Sequence, residues 1–259
     1  MRKQSIRALL AAVSAGLVLC VATAAPTGQN APIRAFVSNG VKTVIDELRP
    51  QWEKAAGHPV SFEFGTTAAL KQKLEAGEAF DVAVLTSDAI ADLVKDGKIA
   101  GASRAELAQC GIGMGMRTGA AKPNIRTADA LKQTLQKAQS VSFASEGASR
   151  AFLDKMFEQF GIASEMKAKT VLTPSSVKSN ELVRDGKAEY ILTLVSEILP
   201  AAPGVELVGP LPKEVQSYVN FAAGMSAKSG NVDAGKAMIA FLKSSAAAGV
   251  FRAKGLETR

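Results

Sequence analysis

The sequence predicts an α/β fold with parallel-type sheets. Short β-type runs alternate with helical periods along almost the whole chain, and each strand leads into its helix through a loop of Ser, Thr and Gly. No low-complexity linker or short internal repeat interrupts the alternation, so two closely packed lobes fit better than separate beads.

The elements follow in order. Ile33 to Val37 is a short apolar strand, and after Ser38-Asn39-Gly40 the residues Val41, Val44, Ile45, Leu48 and Trp52 recur at helical spacing. Pro50 should kink that helix, because its ring deprives the Asp46 carbonyl of its usual donor. Val60 to Phe64 is a second strand, followed by Gly65-Thr66-Thr67 and a helix through Leu70 and Leu74 that Gly77 ends. Phe80 to Leu85 is a third strand; Thr86-Ser87-Asp88 opens a helix carrying Ile90, Leu93 and Val94, stopped at Gly97. Ile112 to Met116 is extended, and Thr127 to Ala138 is a capped helix. The unit then repeats: strand Val141 to Ala144, loop Ser145 to Ser149, helix Arg150 to Phe160. Lys169 to Leu172, Tyr190 to Val195, Val205 to Val208 and Tyr218 to Met225 are further extended segments. A helix after Pro174-Ser175-Ser176 ends at Gly186, and helices around Met238 to Leu242 and Ala246 to Lys254 close the chain.

The first 25 residues have the order of an export signal. Arg2, Lys3 and Arg7 are followed by an uncharged stretch whose apolar centre is Leu9 to Val21, and Ala22-Thr23-Ala24 offers a small-residue cleavage site. Cleavage after Ala24 and a periplasmic destination are expected. The run is short and rich in Ala, Ser and Gly, which disfavours a membrane anchor. Cys20 would permit a lipoprotein, although Leu19 is large for that signal. Removing Met1 to Ala24 leaves 235 residues, enough for proper cores. The signal holds three of the 31 basic residues and none of the 24 acids, so the mature charge is +4. This excess is spread thinly, and with one Trp and two Tyr there is little surface for stacking bases, so no nucleic-acid partner is expected. Cys110 would be left without a disulfide partner, in an apolar run that marks it for packing. His58 is the single histidine, so zinc sites and Ser-His or Cys-His catalysis lack their ligands and partners. Neither a metal nor a cofactor is expected.

Strand, hydroxyl-rich loop and helix recur at Ser38-Asn39-Gly40, Gly65-Thr66-Thr67, Thr86-Ser87-Asp88, Ser145 to Ser149 and Ser175-Ser176. In open α/β sheets such junctions gather at one edge, where free N–H groups and the helix dipole favour an anion. Any one of them taken alone is more often an ordinary N-cap. Asp88 is expected to cap its own helix. Arg150 opposes the dipole in the first turn of its helix, so it either holds a ligand or pairs with Asp154 four residues on.

Phe64-Gly65-Thr66-Thr67, Leu70, Leu74-Glu75-Ala76-Gly77 and Phe80-Asp81-Val82 through Ser87-Asp88 resemble the N-terminal lobe of periplasmic molybdate-binding proteins, type II solute-binding proteins of ABC importers. Phe157 to Gly161, Leu182 to Ala188 and Ala246 to Gly255 look like the same family, and Val205 to Pro212 (VELVGPLP) like a less characterised branch of it. The resemblance implies the two-lobed type II periplasmic-binding-protein fold: residues 25–112 with 218–259 as the first lobe, 113–217 as the second. Two crossover strands would join them near Cys110 to Met116 and Tyr218 to Met225. It implies an anion held by hydroxyls and backbone N–H groups. The second-loop serine of the family matches Thr67, and its first-loop serine falls on Gly40, beside Ser38 and Asn39. Ser149 and Ser176 lie where the family has backbone donors. Its tyrosine falls on Leu194, with Thr193 and Ser196 nearby.

The expected ligand-binding set is Ser38, Asn39, Gly40, Thr66, Thr67, Ser149, Arg150, Ser175, Ser176 and Thr193. The function expected is a monomeric periplasmic protein that captures a small anion, either a molybdate-like oxyanion or an organic carboxylate, for an inner-membrane ABC permease. An Arg at the cleft suits a carboxylate, which accepts two parallel bonds from guanidinium. The alternative is an enzyme on the same fold, with Glu146 or Asp88 as a base beside Arg150. The effector lobe of a transcription regulator shares the architecture, but here an export signal stands where a DNA-binding helix pair would be.

Overall fold

The computed structural model describes residues 32–56 and 59–258. The expected export segment and His58 lie outside the described residues. β1 (Ile33–Ser38) passes through a short 3-10 turn at Asn39–Val41 into α1 (Lys42–Ala56), which continues through Pro50. β2 (Val60–Gly65) leads into α2 (Thr67–Glu75), and β3 (Val82–Thr86) into α3 (Ser87–Lys95). The long β4 (Ala105–Arg117) precedes α4 (Ala128–Lys137), β5 (Val141–Ala144), α5 (Arg150–Gln159) and α6 (Ala163–Lys169). β6 (Thr170–Thr173), α7 (Ser176–Arg184), β7 (Tyr190–Leu194), α8 (Val195–Ile198) and β8 (Val205–Pro210) follow. β9 (Tyr218–Met225), α9 (Val232–Leu242), α10 (Ser245–Ala253) and β10 (Glu257–Thr258) finish the described chain.

Two sheets share one strand. The first has the order β2-β1-β3-β9-β4, with β10 on the far edge of β4; β1 is parallel to β2 and β3, and β9 runs antiparallel to β3 and β4. The second places β4 between β8 and β7, then β5 and β6, with β5 parallel to both β6 and β7. Residues 105–111 of β4 pair with β9, and residues 112–117 with β7 and β8. This is the two-lobed α/β architecture the sequence predicts, and β4 is one crossing between the lobes.

The return crossing is the segment 211–217. It lies just before the expected Tyr218 to Met225, all of which pairs within the first sheet. Pairing to β4 continues through the Leu211 N–H, which donates to the Ile112 carbonyl at 2.9 Å, and Pro212 ends it, since it has no N–H to continue a ladder. At the crossing, the Gln216 side chain substitutes for a strand. Its Oε1 accepts from the Ile112 N–H at 2.9 Å and its Nε2 donates to the Ile112 carbonyl at 3.0 Å.

β4 is built for close approach on one face. Cys110, Ile112, Met114 and Met116 are fully buried in the main core, and the intervening Gly111, Gly113 and Gly115 take the other face. A Cβ at Gly115 would stand 2.8 Å from Ile191 Cγ2 and 3.0 Å from Ile198 Cγ2. The helix ends follow the glycines: Gly77 (φ 95°) and Gly161 (φ 67°) adopt the left-handed conformation just past α2 and α5. Among the described residues no helix is long and apolar enough to cross a membrane.

Candidate functional site

A cavity of about 440 Å³ opens between the lobes at the ends of the parallel strands. The first lobe contributes Thr67 and Ala68 from the start of α2, Thr86, Ser87 and Asp88 from the start of α3, and Tyr218 to Asn220 from β9. The second contributes Glu146, Gly147 and Ala148 from the loop after β5, then Ala151 and Phe152 from α5; Ile112 and Ser217 form its floor at the crossing. Three helices therefore begin at this cavity, and their unpaired N–H groups and dipoles favour a negative ligand. Its volume lies within the ~300–1,000 Å³ usual for small-molecule sites. A single tetrahedral oxyanion, with five heavy atoms, would fill little of it.

The hydroxyls of the strand–helix junctions divide by what already occupies them. Thr66 accepts from the Ala69 N–H at 3.2 Å and Ser175 from the Lys178 N–H at 3.3 Å, so both act as ordinary N-caps. Thr86 and Ser149 start α3 and α5 without a capping bond. Thr67 Oγ1 donates to Ser38 Oγ at 3.1 Å, and Ser38, which is buried, also accepts from the Gly40 N–H at 3.4 Å. Ser87 donates to Glu106 at 2.5 Å. The residue that caps α3 by position is Thr86, and Asp88 lies inside the first turn with an exposed side chain at the cavity; its expected capping role is corrected accordingly.

The lobes also touch directly. Ser196 Oγ, in the second lobe, donates to the Gly40 carbonyl of the first at 2.7 Å, and the Cys110 thiol lies 3.4 Å from the same hydroxyl. Gly40 is buried, and a Cβ there would stand 2.4 Å from Phe221 Cζ and 2.8 Å from Leu194 Cδ1. The lack of a side chain at residue 40 is thus a packing requirement. Burial pushes the Cys110 thiol above its ordinary pKa, which suits a packing role.

Ser176 and Thr193 face inward, with 4% and 3% of their surface exposed. Thr193 Oγ1 donates to the Glu197 carboxyl. Burial raises that carboxyl above the usual carboxylate range, against the lowering effect of the Thr193 and Ser176 hydroxyls and the Leu194 N–H. Asn180, one turn along α7, donates to the Glu197 carbonyl at 2.9 Å.

The sequence pattern of the bacterial extracellular solute-binding proteins matches residues 33–257. The chain belongs to that family. This solute-binding protein is 33% identical to an aconitate isomerase from Pseudomonas sp over 226 residues, covering 85% of each chain. Its fold is similar to that of the periplasmic molybdate-binding protein of Azotobacter vinelandii, with a TM-score of 0.73 at 14% identity, covering 86% of this chain and 98% of that one. The sulfate-binding protein SubI of Mycobacterium tuberculosis H37Rv is also similar, with a TM-score of 0.72 at 17% identity, covering 87% and 86%.

Of the ten expected ligand-binding residues, Thr67 lines the cavity. Ser38, Asn39 and Gly40 form the turn that meets Leu194 and Ser196, and Thr66 and Ser175 are spent on their helices. Ser149 is buried one residue beyond the cavity loop. Arg150 Nε binds Asp154 Oδ2 at 2.7 Å, and its guanidinium lies over the Phe143 ring, 5.4 Å from the centroid. Sequence reasoning left Ser217 to Asn220 and Phe152 out of the site.

Proposed function

We propose that this protein captures a small organic anion bearing carboxylates between its two lobes in the periplasm and presents it to an inner-membrane ABC permease. The observation that carries the reading is the cavity itself, which is larger than one oxyanion needs and is met by the N-termini of α2, α3 and α5. Residues 25–112 with 218–259 form the first lobe in this reading, 113–217 form the second, and the chain acts as a monomer after cleavage behind Ala24. Closure of the lobes on the ligand is the step that a permease would read. Asp88 and Glu146 are exposed, so their repulsion of a bound anion is weak, about 1 kcal/mol at 4 Å in water. Titration calorimetry with tri- and dicarboxylates, molybdate and sulfate tests the reading. A saturable response to a carboxylate supports it, and silence to every carboxylate overturns it.

A second reading has its own observation. The 33% identical relative is named as an aconitate isomerase, and two carboxylates, Asp88 and Glu146, line the same cavity here. Moving a double bond along such a substrate requires a group that takes a proton from one carbon and returns it to another, and a carboxylate can do both. Proton NMR of aconitate incubated with the protein in D₂O distinguishes the two. Interconversion with deuterium uptake, lost in Asp88→Asn or Glu146→Gln, establishes the isomerase; unchanged signals with tight binding leave capture alone.

A further inference from the structure

Two stretches of chain cross between the lobes, β4 around Ile112 and the segment 211–217, and one side chain ties them together. Gln216 Oε1 accepts from the Ile112 N–H and from the Ser217 N–H, each at 2.9 Å. Its Nε2 donates to the Ile112 carbonyl at 3.0 Å and to the Leu211 carbonyl at 3.3 Å. A primary amide has two lone pairs on its oxygen and two N–H bonds, so this one is fully used. The same contacts fix its orientation, since a reversed amide would set N–H against N–H and oxygen against carbonyl. We infer that Gln216 is the pin of the hinge and a positioning residue for capture. It clamps Ile112 to Ser217, the residues that floor the cavity, so that contacts from both lobes converge on one closed geometry.

A purely structural role would need less. The Ile112 carbonyl already accepts from the Leu211 N–H at 2.9 Å, and the Ile112 N–H also lies 3.4 Å from the Ser217 carbonyl. What the amide adds is a link among Ile112, Leu211 and Ser217, which stand on both crossings. Its setting suits a hinge as well. Gly111 and Gly113 flank Ile112, and glycine absorbs the dihedral change that a lobe rotation requires. At Gly111 the lack of a side chain also admits the amide, because a Cβ there would stand 3.2 Å from Gln216 Nε2. On the other crossing, the 3-10 turn Lys213–Val215 delivers Gln216 to this position. With the pin in place the floor of the cavity moves as one body, and rotation is confined to the dihedrals on either side of it. The inference rests on the cleft reading for its ligand and adds to it the residue that sets the closed geometry.

The test compares wild type, Gln216→Met and Gly115→Ala as exported proteins. Methionine keeps the length of the side chain and loses all four bonds, whereas Gly115→Ala strains the packing of β4 against Ile191 and Ile198, away from the pin. Each protein is followed by amide hydrogen exchange at Ile112 and Ser217, by X-ray scattering without ligand, and by calorimetric titration with sodium cis-aconitate. Gln216→Met should melt cooperatively, exchange both amides about tenfold faster, and scatter as a particle with a wider spread of lobe separations. Its Kd for cis-aconitate should rise about tenfold, the effect of losing roughly one net hydrogen bond from the closed state. Gly115→Ala should lower the melting temperature and leave Kd unchanged. A Gln216→Met that binds as tightly as wild type overturns the inference, as does one whose two amides exchange as before. An equal rise of Kd in Gly115→Ala also overturns it, because weaker binding would then follow from lost stability alone. If the methionine variant does not fold, Gln216→Glu, which keeps the two accepted bonds and loses the two donated ones, carries the binding and scattering comparison. Silence of wild type to cis-aconitate would count against the carboxylate reading and not against the pin. The pin is then decided by exchange and ligand-free scattering, where rates and curves equal to wild type overturn it.

Discussion

At the scale of single residues, the sequence could name the hydroxyls at the strand–helix junctions but not their occupants. A Ser or Thr before a helix looks the same whether it caps, binds another side chain or waits for a ligand. The structure separates Thr66 and Ser175, which cap, from Thr86 and Ser149, which do not, and from Ser176 and Thr193, which serve Glu197. Glu197 also makes a pH-dependent contribution whose sign is fixed. Burial raises its folded pKa above the unfolded value, so its share of stability is fully present below the unfolded value and is lost as pH rises through the folded one. The groups around it are the Ser176 and Thr193 hydroxyls and the Leu194 N–H, and its titratable neighbour, the Cys110 thiol, is itself held protonated by burial. Exposed carboxylates such as Glu165 and Glu181 are shifted the opposite way by Lys169 and Lys178, and such surface pairs contribute little. Melting temperature measured from about pH 4 upward should therefore fall more steeply in wild type than in Glu197→Gln. Parallel curves for the two proteins would refute the assignment.

At the scale of elements, β4 shows both what periodicity reveals and what hides it. The alternation of Cys110, Ile112, Met114 and Met116 with Gly111, Gly113 and Gly115 marks an extended segment, and the sequence reading found its second half. Its first half escaped because the pairing register with β9 shifts between Glu106 and Ala108, which breaks the two-residue period there. α6 was missed for a different reason: it has seven residues and buries only Met166, too little for a helical stripe to register. The glycines were legible as residues but not as contacts, because their partners Ile191, Val195 and Ile198 are distant in sequence. Gly115→Ala gives that packing a measurable form. Its Cβ would meet Ile191 and Ile198 at 2.8 and 3.0 Å, both on elements that flank β4, so neither can withdraw without disturbing a ladder or α8. Overpacking of this kind costs roughly 1–3 kcal/mol, or about 2–4 °C of melting temperature per kcal/mol in a chain of this size. A melt unchanged from wild type would mean that β7 and α8 yield freely.

At the scale of the whole molecule, the lobes are linked in two mechanically different ways. The crossings at Ile112 and Gln216 hold in any arrangement, since the two residues bond each other through backbone and side chain. The bond from Ser196 to the Gly40 carbonyl spans the lobes and exists only while they are together. The fold was legible because both lobes announce themselves by strand–helix alternation. This contact was not, since its residues are 156 apart in sequence and a buried Ser has no distinguishing pattern. Ser196→Ala should therefore act on closure rather than on folding. It leaves the Gly40 carbonyl without its donor, a loss of about 1–3 kcal/mol charged to the closed arrangement, and each 1.4 kcal/mol shifts a two-state population tenfold. The ligand-free variant should scatter X-rays as a more extended particle than wild type, and a ligand that closes the cleft should bring the two curves back together. Neither lobe loses a core residue, so unfolding should remain cooperative. Identical scattering from the two ligand-free proteins would show that the crossings and the apolar contacts of Leu194 and Val195 hold the lobes together without Ser196.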